Sequence, residues 1–168
     1  FCFDQIYKNF NKKDIYIKLK RSKQILHPAD LGFHNALRTK DNIFFLDFEY
    51  FGWDDPVKLT ADFIWHPSRI IDNDILKIWK KSMINIFSDD KDFRKRLIAS
   101  MPLYGMRWVM IILNDFLPDY ERRRKYATDY NLYSERNLQN VQLNKAIKYC
   151  NVINKLFTKN LKNKFNQD

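Results

Sequence analysis

Glycine is nearly missing from this chain: it has three in 168 residues, where average usage gives about twelve. Gly32, Gly52 and Gly105 stand twenty or more residues apart, so neither GxGxxG nor GxxxxGK(S/T) can be written anywhere in it. A function that carries its own glycine-rich phosphate loop is excluded from this segment. Cysteine is equally scarce. Cys2 and Cys150 are too few for a disulfide framework or a zinc site, and they read as free thiols of a reducing, cytoplasmic compartment. Long apolar runs are lacking too. The longest uninterrupted one, residues 108–113, falls far short of the roughly twenty residues a membrane span requires, so no transmembrane helix is expected. The chain opens Phe1-Cys2-Phe3-Asp4, with no initiator Met and no basic segment before an apolar block. That is the pattern of a piece whose beginning lies upstream, and not of a signal peptide.

What is present is a foldable composition. Hydrophobic residues make up 45% of the chain and aromatics 16%, too apolar for disorder and enough for one domain with a real core. Thirty Lys and Arg face twenty Asp and Glu, a net charge of +10. Such a balance fits a nucleic acid, a membrane surface or an anionic substrate such as a nucleotide. The lysines of residues 12–23 and 145–164 are mostly spaced as the wet face of helices, and the one tight basic run is Arg122-Arg123-Arg124-Lys125. Without interleaved stacking aromatics, a basic helical nucleic-acid-binding domain is the weakest reading and a solvated face the plain one.

No internal repeat or low-complexity linker divides the chain. Residues 1–24 form a helical lead-in, with Phe3, Ile6, Tyr7 and Phe10 on one helix face and then Ile15, Ile17 and Leu19 in a pattern that suits helix or strand. Residues 25–67 have a different texture, short apolar runs broken by turn residues, and they hold all three histidines. Ile43-Phe44-Phe45-Leu46-Asp47-Phe48 is apolar on both alternating faces, as a buried strand requires. Thr39-Lys40-Asp41-Asn42 supplies a turn before it, and Asn35-Ala36-Leu37-Arg38 the first arm of a hairpin.

Residues 68–168 read as a helical subdomain. Ser68 or Asp72 caps a helix with Ile75, Ile78, Trp79, Met83, Ile86 and Phe87 on one broad face. Ser88-Asp89-Asp90 starts a second, with Phe93, Leu97 and Ile98, that ends before Pro102. Pro102 then opens a third, apolar helix over 103–117, ended by Pro118. A long last helix runs from about Leu132, with Leu138, Val141, Lys145, Tyr149, Ile153, Leu156 and Phe157 along its seam. The expected class is α+β, predominantly helical, with one small β-hairpin.

The chemistry concentrates in His27-Pro28-Ala29-Asp30-Leu31-Gly32-Phe33-His34-Asn35, followed twelve residues later by Asp47-Phe48-Glu49. An aspartate, an asparagine five residues on and a second aspartate after a short hairpin suit phosphoryl transfer from ATP. One carboxylate orients and deprotonates a hydroxyl, while an amide oxygen and the other carboxylate hold Mg2+ against the phosphates. The hairpin returns the chain so that Asn35 and Asp47 can serve one metal cluster.

This segment, with Phe45-Leu46-Asp47-Phe48-Glu49-Tyr50, Trp53-Asp54-Asp55-Pro56 and Ala61-Asp62-Phe63, resembles the catalytic core of the aminoglycoside phosphotransferase and choline kinase group. That group is the small-molecule branch of the protein-kinase-like fold. The resemblance covers roughly residues 24–67; the later helices fit only in type. It implies the C-terminal lobe of an ATP-dependent phosphotransferase acting on a small-molecule alcohol or sugar, with Mg2+ and ATP. Asp30 matches the catalytic aspartate, Asn35 and Asp47 the metal ligands, and Glu49 a further ligand or substrate contact. His27 and Asp62 take the place of loop supports, while Tyr50, Trp53, Asp54 and Arg107 are candidates for acceptor contacts. Pro28 departs from the pattern, standing where the group has a histidine, and His27 lies one place earlier. That departure motivates a second reading, a catalytically degenerate kinase-like binder.

The remaining polar residues have plainer readings. His27 and His34 are read as loop braces, His66 as a residue leading into a helix, and Arg107 as a partner of Asp115 or Glu121. Tyr50, Phe51 and Trp53 suit a stacking pocket and core packing equally. Neither an adenine-binding sheet nor a phosphate-binding lysine can be placed before residue 24. The missing nucleotide lobe is therefore expected upstream, and the segment alone is expected to be inactive. The acceptor and the oligomeric state are not legible.

Overall fold

The computed structural model describes residues 17–67, 72–118 and 135–157. After a 3-10 turn at Arg21–Lys23, two three-residue strand pairs form among the described residues. β1 (Ile25–His27) pairs antiparallel with β4 (Gly52–Asp54), matching Ile25 with Asp54 and His27 with Gly52. Between them in sequence, β2 (Ala36–Arg38) pairs with β3 (Ile43–Phe45), matching Ala36 with Phe45. Among the described residues four helices follow: α1 (Pro56–Trp65), α2 (Asn73–Ile86), α3 (Phe93–Leu113) and α4 (Glu135–Phe157). The described chain is α+β and mostly helical.

The inner hairpin forms where the turn chemistry calls for it. The Thr39 N–H donates to the Asn42 carbonyl at 2.8 Å, and the Asn42 N–H donates back to the Thr39 hydroxyl at 3.1 Å. The outer pair, β1 with β4, is an addition to the expected single hairpin, because three-residue strands leave no period to read. A second correction concerns the run 43–48. Ile43 is 59% exposed, Phe44 52% and Phe45 48%, so both faces of β3 are open and the expected buried strand is not found. A two-stranded ribbon has no further layer of its own to cover either face.

The described residues fall into two compact units, one reaching Tyr104 and the other starting at Gly105, within α3. In the first, Asp55 caps α1 by accepting the Val57 N–H at 2.9 Å, and Pro56 occupies the first turn, where its missing N–H costs nothing. Pro67, after the helix, disfavours helical geometry at His66, where α1 stops. α1 packs on β1 and α2. The indole N–H of Trp65 donates to the Met101 carbonyl at 2.8 Å and that of Trp79 to the Thr60 carbonyl at 3.2 Å. Phe93 and Leu97 are fully buried. Asp72, one of the two expected caps, starts α2 by accepting the Asp74 and Ile75 N–H groups; Ser68 lies outside the described residues. The broad apolar face expected on α2 narrows to half-buried Trp79 and Phe87 and buried Met83, with Ile75, Ile78 and Ile86 exposed.

α3 corrects the expected break at Pro102. One helix runs through it, although Pro102 has no N–H for the Ile98 carbonyl. An interior proline costs about 3 kcal/mol, and burial of Leu97, Met101 and Pro102 itself offsets that. With the following turn, residues 93–116 are long and apolar enough to cross a membrane by length and composition, a test that the core helix of a soluble protein also meets.

In the second unit Trp108, Val109, Ile112, Ala146 and Ile153 are buried, and α4 packs on the turn Asn114–Phe116. Of the expected α4 seam, Leu138, Lys145 and Tyr149 are half-buried, whereas Val141 is exposed. The side chains of Leu156 and Phe157 lie outside the described residues. So do the helix expected on Phe3, Ile6, Tyr7 and Phe10 and the basic run at 122–125.

One ion cluster ties the first unit together. Arg96, 5% exposed, donates from Nε and Nη2 to Asp55 at 2.8 and 3.2 Å and from Nη2 and Nη1 to Asp90 at 2.7 and 3.2 Å. Hydrogen bonding to Arg96 holds the Asp90 carboxyl below its ordinary value against the opposing effect of burial, while its two partners keep the guanidinium more firmly protonated than usual.

Arg96→Ala is expected to lower unfolding stability by about 3–5 kcal/mol in denaturant titrations, since it strands two shielded carboxylates. Because the folded Asp90 is the stronger acid, its contribution is complete above the unfolded value of 3.8 and drains away as pH falls below it. That acid-side loss is expected to disappear from the pH profile of the variant.

Candidate functional site

Both polar loops are strung between the two strand pairs. Residues 28–35 lead from β1 to β2, and residues 46–51 return from β3 to β4. β1 and β4 are hydrogen-bonded neighbours, as are β2 and β3, so both ends of each loop are held beside the ends of the other. The Leu46 N–H donates to the Asn35 carbonyl at 2.8 Å, which brings Asp47 to the foot of the hairpin, next to Asn35 in the fold.

The first loop is braced from below by His27, 1% exposed at the end of β1. Its Nδ1 accepts the Ala29 N–H at 2.6 Å and lies 3.5 Å from the Lys58 ammonium. Ala29 has φ of 63°, a left-handed conformation uncommon for alanine, and the bond from His27 helps to hold it there. The Asp30 N–H then closes a tight turn on the Pro28 carbonyl at 2.8 Å. His27 thus supplies a support for the loop from the position before Pro28.

Three side chains meet at Asp30. His34 Nε2 lies 3.2 Å from Oδ2, and His66 Nε2 lies 3.4 Å from Oδ1. The Asn35 amide nitrogen donates to the Asp30 carbonyl at 3.1 Å and to Oδ2 at 3.3 Å. The two imidazoles stack, their centroids 4.7 Å apart and their planes at 21°. Burial pushes the Asp30 carboxyl up, but the hydrogen bond and charge of His34, with the charge and hydrogen bond of His66, prevail and hold it below its ordinary value. Asp30 is therefore an ionised acceptor at neutral pH.

Gly32 makes room for this arrangement. A Cβ there would lie 2.5 Å from His34 Nδ1 and 3.3 Å from His66 Cε1. Its φ of −154° is extended, so the requirement is close approach and not backbone freedom. Gly52, which would meet nothing within 4 Å, carries no such requirement.

Asp47 adopts φ of 61°, like Ala29 a left-handed non-glycine residue. Strain of this kind persists only where surrounding structure imposes it, and here the closing bond at Leu46 and the turn from the Phe51 N–H to the Phe48 carbonyl at 3.1 Å flank it. Asp47 and Glu49 are both exposed. Tyr50, at 72% exposure, and Trp53, at 58%, are open to solvent; core packing does not account for them. The Asp54 carboxylate is occupied locally by Lys58 at 3.3 Å and the Asp55 N–H at 2.8 Å. Asp62 is buried on α1.

Arg107 belongs to the other unit, exposed, with its guanidinium carbon 5.8 Å from the Trp108 ring centroid. Glu121, one of its two expected partners, lies outside the described residues. His66 corrects a second reading: it ends α1, where it was expected to lead into a helix, and it reaches Asp30. The only cue to it in the sequence was a His-Pro pair, and no spacing relates position 66 to position 30.

Gly32→Ala is expected to swing the His34 ring off Asp30 and to cost about 1–3 kcal/mol, whereas Gly52→Ala should change stability by less than about 0.5 kcal/mol. Denaturant titration measures both, and the loss of ring-current shifts between His34 and His66 reports the swing. No family model, no curated protein and no solved structure matches this chain.

Proposed function

We propose that the chain carries the phosphoryl-transfer half of an ATP-dependent phosphotransferase whose acceptor is a hydroxyl of a small molecule. The observation that supports this most is the contact of Asn35 with Asp30. Its amide nitrogen is engaged by the Asp30 carbonyl and carboxylate, which leaves the amide oxygen as the donor for a hard cation. Asp47 follows the closing bond between Leu46 and Asn35 directly. The donor set of Asn35 oxygen, Asp47 carboxylate and Glu49 carboxylate is all oxygen, as Mg2+ prefers. Mg2+ bound there supplies charge neutralisation for the phosphates.

The chain's own residues divide the remaining work. Asp30, ionised and oriented by Asn35 and His34, receives the acceptor hydroxyl's hydrogen bond and takes its proton as the phosphoryl group is attacked. His27 and the Ala29 turn keep Asp30 at its height in the loop. The exposed rings of Tyr50 and Trp53 offer faces on which a sugar or a cationic alcohol stacks. In this reading the adenine and the outer phosphates are held by a preceding lobe.

A second reading, a degenerate kinase-like binder, is favoured by one observation: both Asp30 oxygens are already approached by imidazole nitrogens. Activity separates the two. In the full-length protein, Mg-dependent ATP turnover is expected with a member of an alcohol and sugar panel. Asp30→Asn is expected to lower kcat roughly 10²–10⁴-fold with little change in KM for ATP, and Asp47→Asn to remove the response to Mg2+. Mg-ATP binding without turnover on any acceptor supports the binder, and neither binding nor turnover overturns both.

A further inference from the structure

We propose that Asp30, His34 and His66 form a binding site for a divalent transition-metal ion of the Zn2+ type, separate in ligands and in chemistry from the all-oxygen set of Asn35, Asp47 and Glu49. One ligand atom from each of the three residues lies within 4.8 Å of the others. Both imidazoles present the same nitrogen, Nε2, to the same carboxylate, at 3.2 and 3.4 Å. A tetrahedral ion with bonds of about 2.0–2.1 Å sets its ligand atoms about 3.3 Å apart. Each imidazole therefore stands at coordination spacing from one oxygen of the carboxylate already, and the exposed His34 ring has room to adjust.

Two stacked rings, one from the loop and one from the end of α1, converge on the one carboxylate. Burial grades across the site, from His66 through half-buried Asp30 to exposed His34, so the ion has a rigid inner ligand and an open face where water completes its shell. Gly32 provides the clearance that lets His34 turn inward. Two imidazoles and one carboxylate select zinc, cobalt, nickel or copper, whereas Mg2+ requires oxygen ligands.

The site stands on this geometry whether or not the chain transfers phosphate. On the phosphotransferase reading it has one consequence: an ion ligated by Asp30 takes the carboxylate from the acceptor hydroxyl, so Zn2+ inhibits. The test uses the metal-free chain with Cys2 and Cys150 changed to Ser, to remove thiol competition. Titration with Co2+ is expected to show one ion per chain by calorimetry and visible absorption bands of nitrogen coordination, displaced by Zn2+ and unaffected by excess Mg2+. His34→Ala is expected to weaken binding at least tenfold, and His66→Gln likewise. Because His66 is buried and its variant is exposed to misfolding, the exposed His34 is the deciding position. A Zn2+-induced shift of the two Nε2 resonances in the unmutated rings is the second readout. Absence of Co2+ binding, or binding unchanged by His34→Ala in a chain whose circular dichroism matches the parent, overturns the site. Failure of ATP turnover leaves it standing, since no step of the titration uses nucleotide.

Discussion

Arg96 is the constraint on which the arrangement of the first unit rests. Its guanidinium, almost wholly shielded from water, joins Asp55 at the start of α1 to Asp90 just before α3. Charges so placed cost several kcal/mol each to desolvate and recover it only through good geometry, and four short N–H donations provide that. Asp55 does double duty, because the oxygen that caps α1 also accepts from Nη2. β4 ends at Asp54, one residue before that cap, so the anchor of α1 is also the anchor of the strand pair from which both polar loops are hung. α1 in turn carries His66 at its far end, ten residues of rigid helix away from the fixed cap.

The Asp30 cluster is the product of that frame. One loop contributes Asp30, His34 and Asn35, and the end of a helix contributes His66. The carboxylate is drawn on from three sides, which keeps it ionised. The phosphotransferase proposal requires His34 to give way to a hydroxyl, and the metal proposal requires it to stay; Gly32 leaves the ring room.

The apolar side chains around the hairpin belong to the same frame. Phe33, Leu37, Phe44, Phe48 and Trp53 are each about half exposed or more, spread over the two strand pairs and the loops between them.

Much of this was legible in the sequence because it is local. The hairpin at Thr39-Lys40-Asp41-Asn42, the cap at Asp72, a long last helix and the gathering of Asp30, Asn35 and Asp47 about one hairpin follow from turn chemistry and short spacings. What was misjudged needed distant partners. A buried strand was inferred from an apolar run, but burial depends on a second layer. A helix break was inferred at Pro102, where packing outweighs the lost hydrogen bond.

The roles of Arg96 and His66 were invisible for the same reason: a lone arginine in a helix and a histidine before a proline have no pattern until the chain folds. The sequence by itself determined which residues can do chemistry and which short turns present them. Only the tertiary structure decided which of them meet, because long-range ion pairs and ring contacts are set by packing between elements and not by spacing along the chain.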